Sequence, residues 1–463
     1  MIQLRSTAAL IVVTALFFGC RTAPEPIPEA PPAEPEIELE LDAYQSISLF
    51  VAAGDPEEAI RAYQEARLDD PDQPDTIVLL AGLYLSAGEL SEAARNLELV
   101  LSRDPDNVDG LYLSALLEGF RGDKKEQEQR LRRVLELVPG DSRAHAALGE
   151  LLLEQRRYRE ARTEFEAVLE GTPDDFVSLI GLGNVHMRTS RHEEAEEVLT
   201  RAIEVEPDFS FAYLDRSRSR VLQQNLHGAE TDLDRAIELE PGFVWNYLDR
   251  GRVRLQRNNL EGARADFTRV IEQDPGIFLA YAYRARAADG LGLRAEAIAD
   301  YERVLEIRPD YHAAYTPLGT LYYETEQWNK AFEMYRRAAE QDQSNESLPL
   351  LAALSLQRAG EQRRAAEYLG RATQHIRRDG SFYQMVRYYM NPTSDTLIFR
   401  TVDREQERVT KARLQFFLAS QYRIQGRHNS ANAVMRLAEE NGIPGLIETR
   451  LAKHDLDAYR DER

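Results

Sequence analysis

The sequence predicts an all-α fold: an α–α superhelical solenoid of about eleven helix–turn–helix units of thirty-four residues, with one non-repeating helical insert near the C-terminus. Three observations predict it. Between Ser210 and Pro309 three units repeat almost letter for letter, opening on YLDRSR from Tyr213, YLDRGR from Tyr247 and YAYRAR from Tyr281. Eight prolines, Pro71, Pro105, Pro139, Pro173, Pro207, Pro241, Pro275 and Pro309, stand one period apart. Stacked on that ruler, the units reserve fixed places for small and for large side chains. A single fixed period marks a repeat architecture, in which each unit buries its apolar face only on its neighbours.

Charge and cysteine content remove several classes of function. A formal net charge of −22 leaves little basic surface for nucleic acid, whose affinity rests on neutralising phosphates. An acidic surface serves solubility instead. The one cysteine excludes an internal disulfide and any zinc site built on several thiolates.

The first nineteen residues read as an export signal: Arg5, an apolar run from Ala8 to Phe18, then Gly19. That run is shorter than the ~18 apolar residues that span a bilayer. The ending FFGC resembles a bacterial lipobox, and with Phe17 and Phe18 before the glycine it is similar to the looser boxes of spirochaetes. The resemblance implies lipidation of Cys20, which anchors the chain to a membrane facing the periplasm; inner and outer membrane stay open. From residue 20 to residue 39 the chain is rich in Pro and Glu and reads as an extended tether, reaching at most about 60 Å at ~3.1 Å per residue.

The array is expected over residues 40–379, ten units. Its eighth place is small in ten of eleven units, from Ala81 to Ala419, with Ile47 the exception, and its twentieth is alanine in ten of eleven, with Gln127 the exception. The twenty-fourth is always large, as at Phe165, Phe267 and Tyr335. Small residues let two helices approach, and the large one fills the space between units. Each periodic proline is followed by Asp or Gly, residues suited to the turn and to capping the next helix. Leu318, Gly319, Tyr322, Ala331, Tyr335 and Ala338 follow the pattern of the tetratricopeptide repeat, which fails only at its last place, where Gln343 replaces proline. The chain resembles that family over residues 40–379 and again over 412–445. The first unit, with Ser46 and Ile47, is expected to act as a cap, and the third, with Glu118 and Gln127, to be locally loose.

Three repeats carry an arginine at the seventh place (Arg216, Arg250, Arg284) and an aspartate at the twenty-third (Asp232, Asp266, Asp300), and no other repeat has either. Their joint occurrence predicts an ion pair between the two helices of one unit. The ninth place of the same repeats is also arginine: Arg218, Arg252 and Arg286. The family resemblance implies that the second, fifth, ninth, twelfth and thirteenth places face a concave groove, which adds Phe211, Trp245 and Leu248, with Leu214 and Leu279. Guanidinium groups beside aromatics suit an acidic or carboxylate-bearing peptide. The alternative is that Asp215 and Asp249, three residues earlier, neutralise Arg218 and Arg252; Tyr283 holds that place before Arg286.

Residues 380–411 break the period. SFYQMVRYYM from Ser381 and a polar helix from about Leu397 read as an irregular helical pair. The final unit from residue 412 is followed by a short helix with Leu446, Ile447 and Leu451, expected to cap the last apolar face, and by a polar tail over residues 454–463. Catalysis has no visible seat. The eight histidines show no HExxH or paired ligands, His145 and His186 occupy packing places, and GLGLRA from Gly290 lies in a turn between two helices with no strand before it. No cofactor or metal is expected. The resemblance implies a lipid-anchored scaffold for a protein partner in the cell envelope. The alternative is a ligand-binding or transporter-accessory lipoprotein with a pocket near the insert, and an envelope-polymer enzyme stands last.

Overall fold

The computed structural model describes residues 35–68, 73–373, 376, 378–392 and 395–461. Cys20, the export signal and most of the tether lie outside them. Among the described residues there are 25 α-helices, one 3-10 turn and no strand. The chain divides into two compact units, Met1–Leu239 and Glu240–Arg463.

The first unit holds six helix pairs: α1 (Pro35–Ala52) with α2 (Pro56–Glu65), α3 (Pro74–Ser86) with α4 (Leu90–Arg103), α5 (Val108–Arg121) with α6 (Lys124–Leu137), α7 (Ser142–Glu154) with α8 (Tyr158–Gly171), α9 (Phe176–Arg188) with α10 (His192–Val205), and α11 (Ser210–Leu222) with α12 (Leu226–Leu239). Helix α1 starts at Pro35, so residues 35–39, assigned to the tether, are helical. The third repeat keeps a complete pair in α5 and α6, and Gln127 packs against Gly119.

The second unit begins with α13 (Val244–Gln256) and α14 (Leu260–Gln273), then α15 (Phe278–Gly290) and α16 (Arg294–Ile307). A 3-10 turn at His312–Ala314 leads into α17 (Tyr315–Glu324) with α18 (Trp328–Gln341), and α19 (Ser347–Arg358) pairs with α20 (Gln362–Ala372). The insert is α21 (Ser381–Met390) and α22 (Asp395–Arg404), the expected helical pair. Then come α23 (Arg408–Ile424), α24 (His428–Asn441) and α25 (Ile447–Asp461). The residues assigned to a polar tail are therefore helical through Asp461, and Asp455 and Leu456 are buried.

Packing explains the reserved places. A Cβ added to Gly149, at the eighth place, would lie 2.7 Å from the Phe165 ring at the twenty-fourth place of the same repeat, and one added to Gly181 of the next repeat would lie 2.3 Å from it. Phe165 thus fills space within its own repeat as well as between repeats. Gly183 meets Leu199 in the same way, and Gly251 meets Phe267.

Turn chemistry departs from expectation in one respect. The helix cap is the residue two places beyond the proline: Asn107, Asp141 and Asp175 accept from the amides of Gly110, Ala144 and Ser178 at 2.8, 2.9 and 2.8 Å. Directly after the proline, Asp106 and Asp208 instead pair with Arg133 and Arg235. The turn inside each repeat holds a left-handed residue at the fifteenth place in all eleven repeats, with φ between 59° and 83°. Six of these are glycine; Arg156, Ser190, Gln224, Asn258 and Glu326 adopt the same conformation against the steric preference of an L residue.

Candidate interaction groove

The hexads that organise the array build a clamp. Arg216 donates from Nε and Nη2 to Asp232 at 3.1 and 2.7 Å, Arg250 to Asp266 at 3.1 and 2.6 Å, and Arg284 to Asp300 at 2.8 and 2.8 Å. Each is the bidentate fork that matches a guanidinium to a carboxylate. All three aspartates are buried. The guanidinium carbons lie 5.7, 5.6 and 5.7 Å from the rings of Tyr213, Tyr247 and Tyr281, the first residue of each hexad. Tyr213 in turn donates its hydroxyl to the carbonyl of Pro207. The predicted ion pairs are present in all three repeats, and these arginines are committed to the fold.

Two further partners join the clamp. Arg220 and Arg254, at the eleventh place, also donate to Asp232 and Asp266, at 2.8 and 2.9 Å; Ala288 takes that place in the third repeat. Burial raises the Asp266 pKa despite Arg250 and Arg254, which pull it down.

The ninth place behaves differently. Arg218 and Arg252 leave half their side-chain surface exposed, and each meets the aspartate three residues earlier, Asp215 or Asp249, at 3.1 Å. This is the local neutralisation weighed as the alternative. Burial raises the Asp215 pKa against the opposing pull of Arg218 and Arg188. Arg286 is exposed, and no carboxylate pairs with it among the described residues. The guanidinium of Arg252 lies 5.8 Å from the Tyr283 ring, itself stacked on Phe267.

The apolar candidates divide. Trp245 is 45% exposed, whereas Leu248 is 4% exposed and packs with Ala263, Phe267 and Val270. Leu248 is therefore a core residue and presents no surface to a partner. Phe211 is half-buried and packs against Phe209, which meets Phe176 edge-on. Leu214 is buried and Leu279 half-buried. Within the first unit the ninth place of α7 is Glu150, which the sequence reading did not single out. Its side chain reaches solvent, yet desolvation by the surrounding protein, with Glu154 and Asp175 adding repulsion, pushes the carboxyl up to about 7.

In the second unit the groove places converge on α25. Arg450 forks onto Asp289 at 2.6 and 2.7 Å and onto Glu324 at 2.6 and 2.7 Å. Burial raises the Glu324 carboxyl pKa, but hydrogen bonds from Arg450 and Arg294 outweigh it and hold it below the usual range. Asp455 pairs with Arg358, and its carbonyl accepts from Arg423 at 2.5 Å. Glu448 lies 3.8 Å from Arg413, with burial raising its pKa. Counted along their repeats, Asp289 and Arg423 stand at the twelfth place, Glu324 and Arg358 at the thirteenth, and Arg413 at the second. The expected cap on the last repeat thus reaches back to α15.

The insert aromatics are largely structural: Phe382, Tyr388 and Tyr389 are buried, and Tyr389 donates to the carbonyl of Phe417 at 3.0 Å. A cleft of about 250 Å³ remains beside them, lined by Gln384, Arg387, Met390 and Leu397 among others. His145 contacts Glu164 and the Pro139 carbonyl, and His186 is buried. No cluster of three metal-ligating side chains occurs among the described residues, and no helix there is long and apolar enough to cross a membrane.

Comparison with known proteins completes the picture. Two profiles of the tetratricopeptide repeat match, one over residues 50–117, 128–177 and 152–215, the other over residues 214–276, 248–312 and 284–346. No curated protein matches the chain. Among solved structures, a tetratricopeptide repeat protein from Parabacteroides merdae is 20% identical, covering 54% of this chain and 98% of its own, with a TM-score of 0.40. YrrB, described as a TPR protein with an unusual peptide-binding site, is 21% identical over 40% of this chain and 95% of its own, with a TM-score of 0.37. MamA is 23% identical over 36% and 92%, with a TM-score of 0.35. The profile matches span more than half of the chain, and it belongs to the tetratricopeptide repeat family.

Proposed function

We propose that this chain is a membrane-anchored scaffold that holds a protein or peptide partner against the concave face of its repeats, in the assembly or regulation of a cell-envelope complex. One contrast carries the reading: in the same three repeats the seventh-place arginines are sequestered in bidentate pairs, while Arg218, Arg252 and Arg286 at the ninth place stay exposed. Arg286 has no aspartate three residues before it, Asp289 one turn later is taken by Arg450, and the exposed Trp245 ring offers an apolar anchor. Arg252, Arg286 and Trp245, all in the second unit, suit an acidic or carboxylate-bearing segment. Family membership supports binding rather than catalysis as the activity. The anchor rests on Cys20 and its lipobox-like setting.

Crosslinking from intact envelopes tests the partner. The variant carrying Arg218→Glu, Arg252→Glu and Arg286→Glu should keep its helical signal and lose one dominant crosslinked protein. An unchanged partner set would sink the groove reading. Detergent-phase partition tests the anchor: Cys20→Ala should move the protein to the aqueous phase, and an unmoved protein is not lipidated there. A small-ligand function at the insert has weaker support, because the cleft there is smaller than the ~300–1,000 Å³ usual for ligand pockets.

A further inference from the structure

Helix α25 lies where a ligand of the second unit would lie. Glu448, Leu451, Ala452, Asp455 and Leu456 form its inward face, each no more than 5% exposed. The side chains that hold its charges come from four repeats and stand at groove-facing places. They form two poles: an acidic one, Asp289 and Glu324, receiving Arg450, and a basic one, Arg358 and Arg423, receiving Asp455. A helix serving only to close the last repeat would need an apolar face and no such reach. This one brings three charged residues of its own into contact across the groove.

The seating is incompletely satisfied. The Nε atoms of Arg358, Arg413 and Arg423 and the Thr449 hydroxyl are buried without a hydrogen-bond partner, all at the α25 contact. Buried donors left unpaired cost more than made hydrogen bonds return, and a half-satisfied polar network is poorer than an apolar one. A buried ion pair is weak evidence for stability, because desolvating both charges offsets much of their attraction.

We propose that α25 is a displaceable internal occupant, and that the groove beneath it is a second docking site for an amphipathic helix of another protein. The poles define the incoming helix: an arginine followed directly by an apolar residue, then an acidic residue five positions after the arginine followed by another apolar residue, as in Arg450, Leu451, Asp455 and Leu456. The inference rests on the reading that groove-facing places receive partners, but it uses none of the ninth-place arginines.

The test uses the full chain and a fluorescent peptide of residues 445–461 as the probe. Arg450→Glu in the chain weakens the resident helix, so the peptide should bind that variant at least tenfold more tightly than wild type. A peptide carrying Arg450→Glu should not bind it. Equal binding of the peptide to both chains, or none to either, overturns the proposal. In wild type, hydrogen exchange of α25 should run at least tenfold faster than that of α24, its neighbour in sequence. If Arg450→Glu does not fold, that comparison decides alone: exchange of both helices at one rate makes α25 a permanent part of the core. Loss of crosslinks in the ninth-place variant would leave peptide binding intact, so failure here and failure of the groove reading are separable.

Discussion

Within the second unit, repeats 244–311 and repeats 312–379 build the same helix pair with opposite chemistry at the same two places. In the former, the seventh and twenty-third places are Arg250 with Asp266 and Arg284 with Asp300; in the latter they are Leu318 with Met334 and Ala352 with Tyr368. Leu318 and Ala352 are buried where the arginines stood, and Tyr368 is buried where an aspartate stood. The pair of places is therefore a slot of fixed position and tolerant content. What both regions share is the small residue at the eighth place beneath the large one at the twenty-fourth, and that contact carries the repeat.

Opening one clamp should have the largest effect. Arg284 and Asp300 are the cleanest choice, since Ala288 supplies no second arginine. Asp300→Met alone should leave a mostly buried guanidinium with only the Glu296 carboxylate at 3.9 Å and lose about 3–5 kcal/mol in denaturant unfolding. Adding Arg284→Leu, which copies the apolar repeats, should restore stability to within about 1 kcal/mol of wild type or exceed it. Additive losses would show that the slot is not tolerant.

A smaller effect comes from the shared contact. Gly251→Ala would place its Cβ 2.6 Å from the Phe267 ring and should cost about 1–3 kcal/mol. Gly319→Ala, at 3.1 Å from the Tyr335 ring, should cost less. Reversal of that order in thermal melts would mean that the two regions do not share this contact as argued.

The smallest effect concerns the left-handed turn. Glu326→Gly should stabilise by about 1 kcal/mol, since the residue holds φ of 59°. Asn258→Gly should gain less, because asparagine tolerates that region. Equal gains at both positions would place the strain elsewhere than in the side chain.

Periodicity decided what could be read in advance. The clamp was visible because Arg and Asp occur together in three repeats and in no others, so each contact left three copies in the sequence. Arg220 and Arg254 are legible on the same ruler, at the eleventh place of two of these three repeats. The role of α25 could not be read that way: Arg450 meets Asp289 across 161 residues, once, and a contact made once leaves no period. Leu248 was misread because a groove place on a helical wheel does not say how far the neighbouring repeat covers it. The cap beyond the proline was misplaced by one residue, within the tolerance of a turn whose φ alone is fixed. The candidate surface was legible only as residue types. Its division into arginines preceded by Asp215 and Asp249 and one preceded by Tyr283 was legible as well, and the coordinates added how far each side chain is exposed.

One contact of the clamp reaches past its own repeat. Arg284 also donates to the Thr268 hydroxyl of the preceding repeat at 3.3 Å, and Arg216 to that of Thr200 at 3.1 Å. In a linear array, stability is the sum of each repeat's own folding energy and its coupling to the next. An arginine that closes its own repeat and grips the one before it raises both terms together. Such repeats melt as a block instead of one at a time, so fraying that starts at an end of the array meets its first cooperative stop at the clamp.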